Sequence, residues 1–200
     1  MKWEKVKPKG VPYATMLIIV IVVGVYWFET NSLGISVLND RVMIGTPNQL
    51  IKLGGAYHVI DWHVVTSEFE HLSLTHLISN IVLLLLCGPV VEEIFESKQK
   101  YLLAFLTIGT ICTVISVIVM PKTVFMGISG SIAGIMGVLV EWTYLENGQS
   151  PRSCQQLLMI LVFLIVLTLS GTVESNVVAH LVGGLLGIGV VLISKYLKSV

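Results

Sequence analysis

Six long apolar stretches constrain this 200-residue chain more than any other feature of its sequence. A helix that crosses a bilayer needs about 20 mostly apolar residues, with a range of roughly 17–25. Most of the stretches have that length, and the fifth has it only if polar neighbours are included. Helix is the expected form, because backbone groups in lipid must satisfy one another's hydrogen bonds. The pattern predicts helices at residues 11–28, 72–91, 101–120, 129–145, 157–170 and 177–197.

The composition agrees with a chain that lies in a membrane. Hydrophobic residues make up 54% of the sequence and charged residues 12%, whereas soluble domains carry about 25% charged residues. The net charge is zero, so nothing indicates a nucleic-acid partner. The three cysteines, Cys87, Cys112 and Cys154, are too scattered for a disulfide framework or a zinc site. We therefore predict a single-domain, all-α, polytopic protein whose solvent is the lipid bilayer.

The basic residues predict the orientation of the helices. The first apolar run is followed by Glu29, Thr30 and Asn31 rather than by a small-residue cleavage site, so we expect an uncleaved first helix. Lys and Arg are enriched in cytoplasmic loops. With the N-terminus inside, nine of them fall on the inner side and three on the outer side, which predicts cytoplasmic termini. The inner set is Lys2, Lys5, Lys7, Lys9, Lys98, Lys100, Arg152, Lys195 and Lys198, and the outer set is Arg41, Lys52 and Lys122.

One connection, residues 29–71, is much longer than the others. Long loops in compact folds are usually functional or disordered. This one contains Val64, Val65 and Trp62 among other apolar residues, which makes it too apolar for a disordered segment. We predict a long extracytoplasmic first loop that is partly embedded in the outer leaflet and packed against protein.

Four polar residues in the apolar stretches are candidates for a functional site, because polar groups within a membrane are costly. Ser129 opens the fourth predicted helix and His180 lies three residues into the sixth. His76 and Asn80 lie one to two turns into the second helix, at a rise of about 1.5 Å per residue. The predicted topology places all four in the outer half of the membrane at similar depth, as a shared site requires.

Stripes of small residues suggest how Ser129 and His180 could meet. Small residues recur at 129, 133 and 137, again at 130 and 134, and on the last helix at 179, 183 and 187. Such stripes allow two membrane helices to approach closely. If the stripes face each other, Ser129 and His180 come within hydrogen-bond reach. The alternative is that the glycines serve packing alone and Ser129 is an ordinary helix cap.

The chemistry of these residues points to acyl transfer. A serine hydroxyl becomes a good nucleophile when a base takes its proton, and a histidine with a pKa of about 6.5 is such a base. Glu174 is the carboxylate nearest to His180 in sequence, but we favour a dyad over a triad. The Ser129 backbone N–H, at a helix start, is available to an oxyanion. His76 and Asn80 share a helix face and can add further donors.

Other readings of the polar residues fit less well. The spacing of His58, His63, His71 and His76 lacks the helical pairing of a zinc motif, so we expect no metal and no cofactor. Ser131 occupies the last glycine position of the G-x-S-x-G elbow of soluble hydrolases, which argues against that fold. A transporter or channel is disfavoured, because we find no inverted repeat or paired broken helices and expect no carboxylate within the membrane. Glu141, twelve residues after Ser129, should approach the cytoplasmic face.

With these residues in place, the chain resembles the rhomboid family of intramembrane serine proteases, and the match spans the whole six-helix unit. Three motifs carry the resemblance, in the right order and on the right helices. The motif G-x-S-G appears as Gly127, Ile128, Ser129 and Gly130; A-H-x-x-G-x-x-x-G as Ala179, His180, Gly183 and Gly187; and H-x-x-x-x-H-x-x-x-N as His71, His76 and Asn80.

The resemblance implies a role for each matching residue. Ser129 is similar to the family's nucleophile and His180 to its base, while His76 and Asn80 resemble the oxyanion donors. His71 helps to organise the site and Gly127 shapes the loop before the serine. Gly130, Gly183 and Gly187 match supporting positions. The implied substrates are membrane proteins that are cut within a transmembrane segment.

Two departures from the family pattern bear on the site. Many relatives carry Trp-Arg in the first loop, where this chain has Trp62 and His63. Many also place an aromatic residue four positions after the serine, against the base, where this chain has Ala133; the smaller residue could permit closer helix packing. A catalytically inactive rhomboid-like protein that binds membrane clients is the alternative function. The minimal six-helix form and the lack of a transit peptide predict a bacterial plasma membrane.

Overall fold

The computed structural model describes residues 10–37, 47–147 and 175–199, and within these ranges the regular secondary structure is helical. The helices are α1 (Tyr13–Ser32), α2 (Pro47–Leu53), α3 (His63–Thr66), α4 (Leu74–Ile94), α5 (Lys98–Val119), α6 (Ser129–Asn147) and α7 (Ser175–Ser199). A 3-10 turn, Ser67–Phe69, follows α3. The predicted helix at 157–170 and Glu174 lie outside the described residues, as do Arg152 and Cys154.

Four of these helices are long and apolar enough to cross a membrane: α1, α4, α5 and residues 177–197 of α7. The all-helical prediction is confirmed for the described residues, whereas the count of six spans stays a prediction. The remaining long helix, α6, begins at Ser129 as the sequence predicted. Residues 129–139 are all buried, and α6 packs against α4, α5 and α7, which makes it the central helix.

Serine caps explain where two helices begin. The side chain of Ser73 accepts a hydrogen bond from His76 N at 3.1 Å, so α4 begins at Leu74, two residues later than predicted. The side chain of Ser97 accepts from Lys100 N at 3.4 Å, and α5 therefore begins at Lys98, before its apolar run. An N-cap oxygen satisfies one of the free backbone donors at a helix start.

Helices α1 and α4 continue past their apolar runs and carry a carboxylate near their ends. Glu29 lies in α1 and Glu92 in α4, and both side chains are buried. Glu92 accepts hydrogen bonds from Ala14 N at 3.1 Å and from Thr15 N at 2.9 Å. A carboxylate is favourable at a helix N-terminus, so Glu92 ties α4 to the start of α1.

The described part of the segment between α1 and α4 packs on the helices. Ala56 and Phe125 exchange two backbone hydrogen bonds, of 3.1 and 2.9 Å, which join this segment to the connection before α6. Helix α3 lies against α5, and Leu50 and Val64 are buried. Embedding of the segment in the outer leaflet stays a prediction.

Candidate active site

The small-residue stripes of α6 and α7 face each other. A Cβ added at Gly183 would collide with the carbonyl oxygen of Gly130 and lie 3.2 Å from the Cβ of Ala133. A Cβ added at Gly187 would collide with the carbonyl oxygen of Gly134. The two helices are therefore in backbone contact, which only residues without a side chain permit at these positions.

This contact brings the residue after Ser129 close to the residue before His180. A Cβ added at Gly130, the residue after Ser129, would lie 3.6 Å from the Cβ of Ala179, the residue before His180. Both candidate side chains are buried, Ser129 with 4% of its surface exposed and His180 with 3%. Among the described residues neither ring nitrogen of His180 has a hydrogen-bond partner, so no bond joins it to Ser129. Catalytic hydrogen bonds are often long in the absence of substrate.

His76 and Asn80 meet the loop that leads into Ser129. Gly127 has a φ of +102°, a backbone conformation that favours glycine. A Cβ added there would lie 2.8 Å from Cε1 and 3.1 Å from Nε2 of His76, and 3.6 Å from Nδ2 of Asn80. The backbone N–H of Gly127 donates to the carbonyl of Ser67 at 2.8 Å. Both polar side chains of α4 thus lie close to the chain two residues before Ser129.

His71 lies just before the start of α4 and packs next to His76. Its side chain is fully buried, and its Nδ1 donates to the carbonyl of Phe69 at 3.3 Å. Its ring centroid lies 5.1 Å from that of His76. Burial, and secondly the nearby His76, lower the pKa of His71 to about 3. His71 is therefore neutral at ordinary pH and packs against the ring of His76 as an uncharged group.

The structure also places the two departures from the family pattern. The ring of His63 stacks on that of Trp62, with centroids 3.7 Å apart, and its Nδ1 lies 2.7 Å from Oδ1 of Asp61. Hydrogen bonds from the His63 backbone and then its side chain lower the pKa of Asp61. Ala133 is fully buried against Gly183, so the small residue serves close packing of α6 on α7.

A small cavity lies beside Ser129. Its volume is about 20 Å³, and its lining residues include Ser129, Thr113, Ser116 and Ala179. A cavity needs roughly 10–15 Å³ to hold one water molecule, which also needs polar partners. Three of the lining residues carry hydroxyl groups, and the space is large enough for a single water next to the candidate nucleophile.

Sequence reasoning missed Glu68, which the structure places next to this site. Its side chain is buried and contacts the hydroxyl of Ser131, two residues after Ser129. The contact joins positions that are 63 residues apart, so no local pattern could have indicated it.

Apolar helices of bilayer-spanning length around a buried polar cluster define the class of the protein, a helical integral membrane protein. Comparison with known families makes this specific: residues 61–196 match the family model of the rhomboid domain. The chain therefore belongs to the rhomboid family.

Curated relatives include proteins named as proteases. The chain is 29% identical to the Rhomboid-like protease 3 of Toxoplasma gondii over 77% of its own length and 61% of the relative. It is 28% identical to the chloroplastic Rhomboid-like protein 11 of Arabidopsis thaliana over 86% of its own length and 66% of the relative. It is 27% identical to the putative rhomboid protease YdcA of Bacillus subtilis over 61% of both chains. The chain thus spans less than two thirds of each relative.

Proposed function

We propose that the chain is an intramembrane serine endopeptidase that cleaves transmembrane segments of other membrane proteins. Ser129 acts as the nucleophile and His180 as the general base. The observation that carries the proposal is the closeness of His76 and Asn80 to Gly127, two residues before Ser129. It assembles hydrogen-bond donors beside a serine that opens a helix, and rhomboid relatives named as proteases support the same reading.

The proposed reaction is acyl transfer in two stages. The Ser129 hydroxyl oxygen attacks the carbonyl carbon of the scissile peptide bond while His180 takes its proton. His180 then gives this proton to the leaving amine, and the substrate's N-terminal part stays bound to Ser129 as an ester. Water, for which the cavity beside Ser129 has room, then attacks the ester carbon while His180 takes its proton. The ester bond to Ser129 breaks, the acid leaves, and His180 returns the proton to the Ser129 oxygen.

The charge that develops on the carbonyl oxygen needs donors already aimed at it. The backbone N–H of Ser129 is one, since the first residues of a helix have no partner in the helix. Nδ2 of Asn80 is another, because it is buried without a hydrogen-bond partner among the described residues. His76 is the third, with its Nε2 turned towards Gly127. Each such donor contributes about 10²–10³-fold to turnover.

The setting of the reaction is part of the proposal. Six spans with cytoplasmic termini place Ser129, His180 and the oxyanion donors in the outer half of a bacterial plasma membrane. The substrates are transmembrane protein segments that enter from the bilayer. The distribution of lysine and arginine along the sequence supports this orientation.

Reporter cleavage in liposomes tests the proposal. Purified wild type, Ser129→Ala and His180→Ala are incubated with a panel of single-pass membrane reporters. We expect cleavage by wild type alone, because each variant removes one half of the dyad. Equal cleavage by Ser129→Ala would move the nucleophile elsewhere. The protease function would be falsified by wild-type protein that cleaves no reporter and does not react with a fluorophosphonate at Ser129.

The second candidate function is that of a catalytically inactive rhomboid-like protein that binds membrane clients. One observation favours it: His180 makes no hydrogen bond to Ser129 among the described residues. One of the relatives is also named a rhomboid-like protein rather than a protease. An inactive protein would bind the same reporters without cutting them, and Ser129→Ala would bind them equally well.

A further inference from the structure

The buried side chain of Glu68 joins three parts of the fold. Only 1% of its surface is exposed. The Thr110 hydroxyl on α5 donates to its Oε1 at 2.8 Å, and its Oε2 lies 3.1 Å from Oγ of Ser131 on α6. A Cβ added at Gly109 of α5 would collide with this carboxyl group, so a glycine at this position leaves space for Glu68.

The number of hydrogens available at Ser131 indicates which protonation state of Glu68 satisfies the hydrogen bonds. Oγ of Ser131 lies 2.9 Å from the carbonyl oxygen of Phe105 and 3.1 Å from Oε2 of Glu68. A hydroxyl has one hydrogen and a carbonyl can only accept, so Ser131 donates to Phe105. A neutral Glu68 then donates its own hydrogen to Ser131, and every group is satisfied. An ionised Glu68 would compete with Phe105 for the single hydroxyl hydrogen.

The position of Glu68 relates this network to the candidate nucleophile. The carbonyl of Ser67 accepts from the backbone N–H of Gly127, two residues before Ser129. The side chain of Glu68 holds Ser131, two residues after Ser129. The adjacent residues Ser67 and Glu68 therefore hold the chain on both sides of Ser129. A change in either contact shifts the turn that carries the nucleophile.

We propose that Glu68 is a positioning residue that works in its neutral form, holding the first turn of α6 so that Ser129 is aimed correctly, and that its ionisation lowers activity at alkaline pH. The inference rests on the proposed protease function. Burial, the main cause, raises the pKa of Glu68 to about 8, while its hydrogen-bonded contacts with Thr110 and Ser131 lower it in part. Ionisation therefore falls within a range of pH that an assay can cover.

Few other titratable groups surround Glu68 in the described part of the chain. Its neighbour on α5 is the thiol of Cys112. Three titratable groups lie on adjoining elements. Glu29 of α1 interacts electrostatically with Glu70, His63 of α3 is hydrogen-bonded to Asp61, and His71 is hydrogen-bonded to the carbonyl of Phe69. No cation among them offsets a charge on Glu68, so ionisation leaves that charge buried.

Glu68→Gln is the informative variant, because an amide reproduces the neutral acid. Its oxygen accepts from Thr110 and its NH₂ group donates to Ser131, but it does not ionise. Glu70→Gln is the matched control, since Glu70 is a second buried carboxyl two residues away whose pKa is raised to about 9. Reporter turnover and KM are measured for the three proteins in liposomes between pH 7 and pH 9.

The expected result is a difference in the pH profiles of kcat. Wild type loses about tenfold between pH 7 and pH 9, as a group titrating near pH 8 requires, with KM nearly constant. Glu68→Gln matches wild type at pH 7 and loses less than twofold. Glu70→Gln keeps the wild-type profile. The inference is overturned if kcat of Glu68→Gln falls between pH 7 and pH 9 as much as that of wild type. It is also overturned if the fall is abolished in Glu70→Gln but not in Glu68→Gln.

A second measurement does not depend on catalysis. The infrared difference spectrum of wild type minus Glu68→Gln contains, at pH 7, the band of a protonated carboxyl group, which disappears near pH 8. Absence of that band at pH 7 overturns the inference even if reporters are cleaved. A protein that shows the band but cleaves nothing refutes the proposed function and, with it, the positioning role.

Discussion

Gly187→Ala tests the packing that brings α6 and α7 together. The added Cβ would collide with the carbonyl oxygen of Gly134 and lie 2.8 Å from its carbonyl carbon and 2.9 Å from N of Val138. Ordinary contact begins at 3.4 Å, so the helices must separate by at least 3.4 − 2.8 = 0.6 Å. The atoms in the way are backbone atoms, which cannot rotate aside as a side chain can.

The expected cost follows from two opposing effects. Overpacking of a close contact costs about 1–3 kcal/mol, and alanine in a helix gains up to about 1 kcal/mol over glycine. Gly187→Ala should therefore lose up to about 3 kcal/mol. Gly189→Ala, two residues along the same helix, is the control, because its added Cβ meets nothing within 4 Å among the described residues. It should be neutral or gain up to about 1 kcal/mol.

Thermal unfolding in detergent micelles measures the stability, and reporter cleavage measures the effect on the proposed dyad. A shift of about 1 Å in a reacting group can cost about 10²-fold in rate, so a separation of 0.6 Å or more should lower kcat about tenfold or more. The control should cleave like wild type. A Gly187→Ala protein as stable and as active as Gly189→Ala would refute the close contact of α6 with α7.

Three further predictions concern single side chains. Asn80→Ala should lower kcat about 10²–10³-fold with an unchanged melting temperature, because its Nδ2 has no partner to lose among the described residues; wild-type turnover would remove it from the oxyanion site. Ala133→Phe should lose about 1–3 kcal/mol in thermal unfolding, since Ala133 is fully buried against Gly183; an equally stable variant would contradict that packing. The pKa of Glu70 is raised from 4.5 to about 9, first by burial and then by Glu29. Its stabilising contribution is full below pH 4.5 and is lost as pH rises towards 9. The melting temperature of wild type should therefore fall more than that of Glu70→Gln between pH 4.5 and about pH 9. Equal falls in the two proteins would contradict the prediction.

The positions of the long helices could be predicted from the sequence, but several of their ends could not. Apolarity located α4, α5 and α6, and Ser129 was correctly placed at a helix start. The first apolar run ends at Phe28, yet α1 continues to Ser32, and the side chains of Thr30 and Asn31 donate to backbone carbonyls of the preceding turn. Polar residues end an apolar pattern without ending a helix.

Part of the candidate site could likewise be predicted from the sequence, and part could not. Motif spacing brought His76 and Asn80 onto one face of α4, and the small-residue stripes correctly predicted the contact of α6 with α7. The role of Glu68 could not be predicted, because it depends on Thr110 and Ser131, which are 42 and 63 residues away. In the sequence, a glutamate in a mixed loop looks like a solvated charge, and only the fold shows that it is buried.

The central claim is that Ser129 is a nucleophile activated by His180. Its most direct test is reaction of the liposome-embedded protein with a fluorophosphonate, followed by mass spectrometry of the labelled peptide. Wild type should carry the label on Ser129 alone, while Ser129→Ala should carry none and His180→Ala should react far more slowly. Labelling of another residue, or equal labelling of wild type and His180→Ala, would contradict the claim.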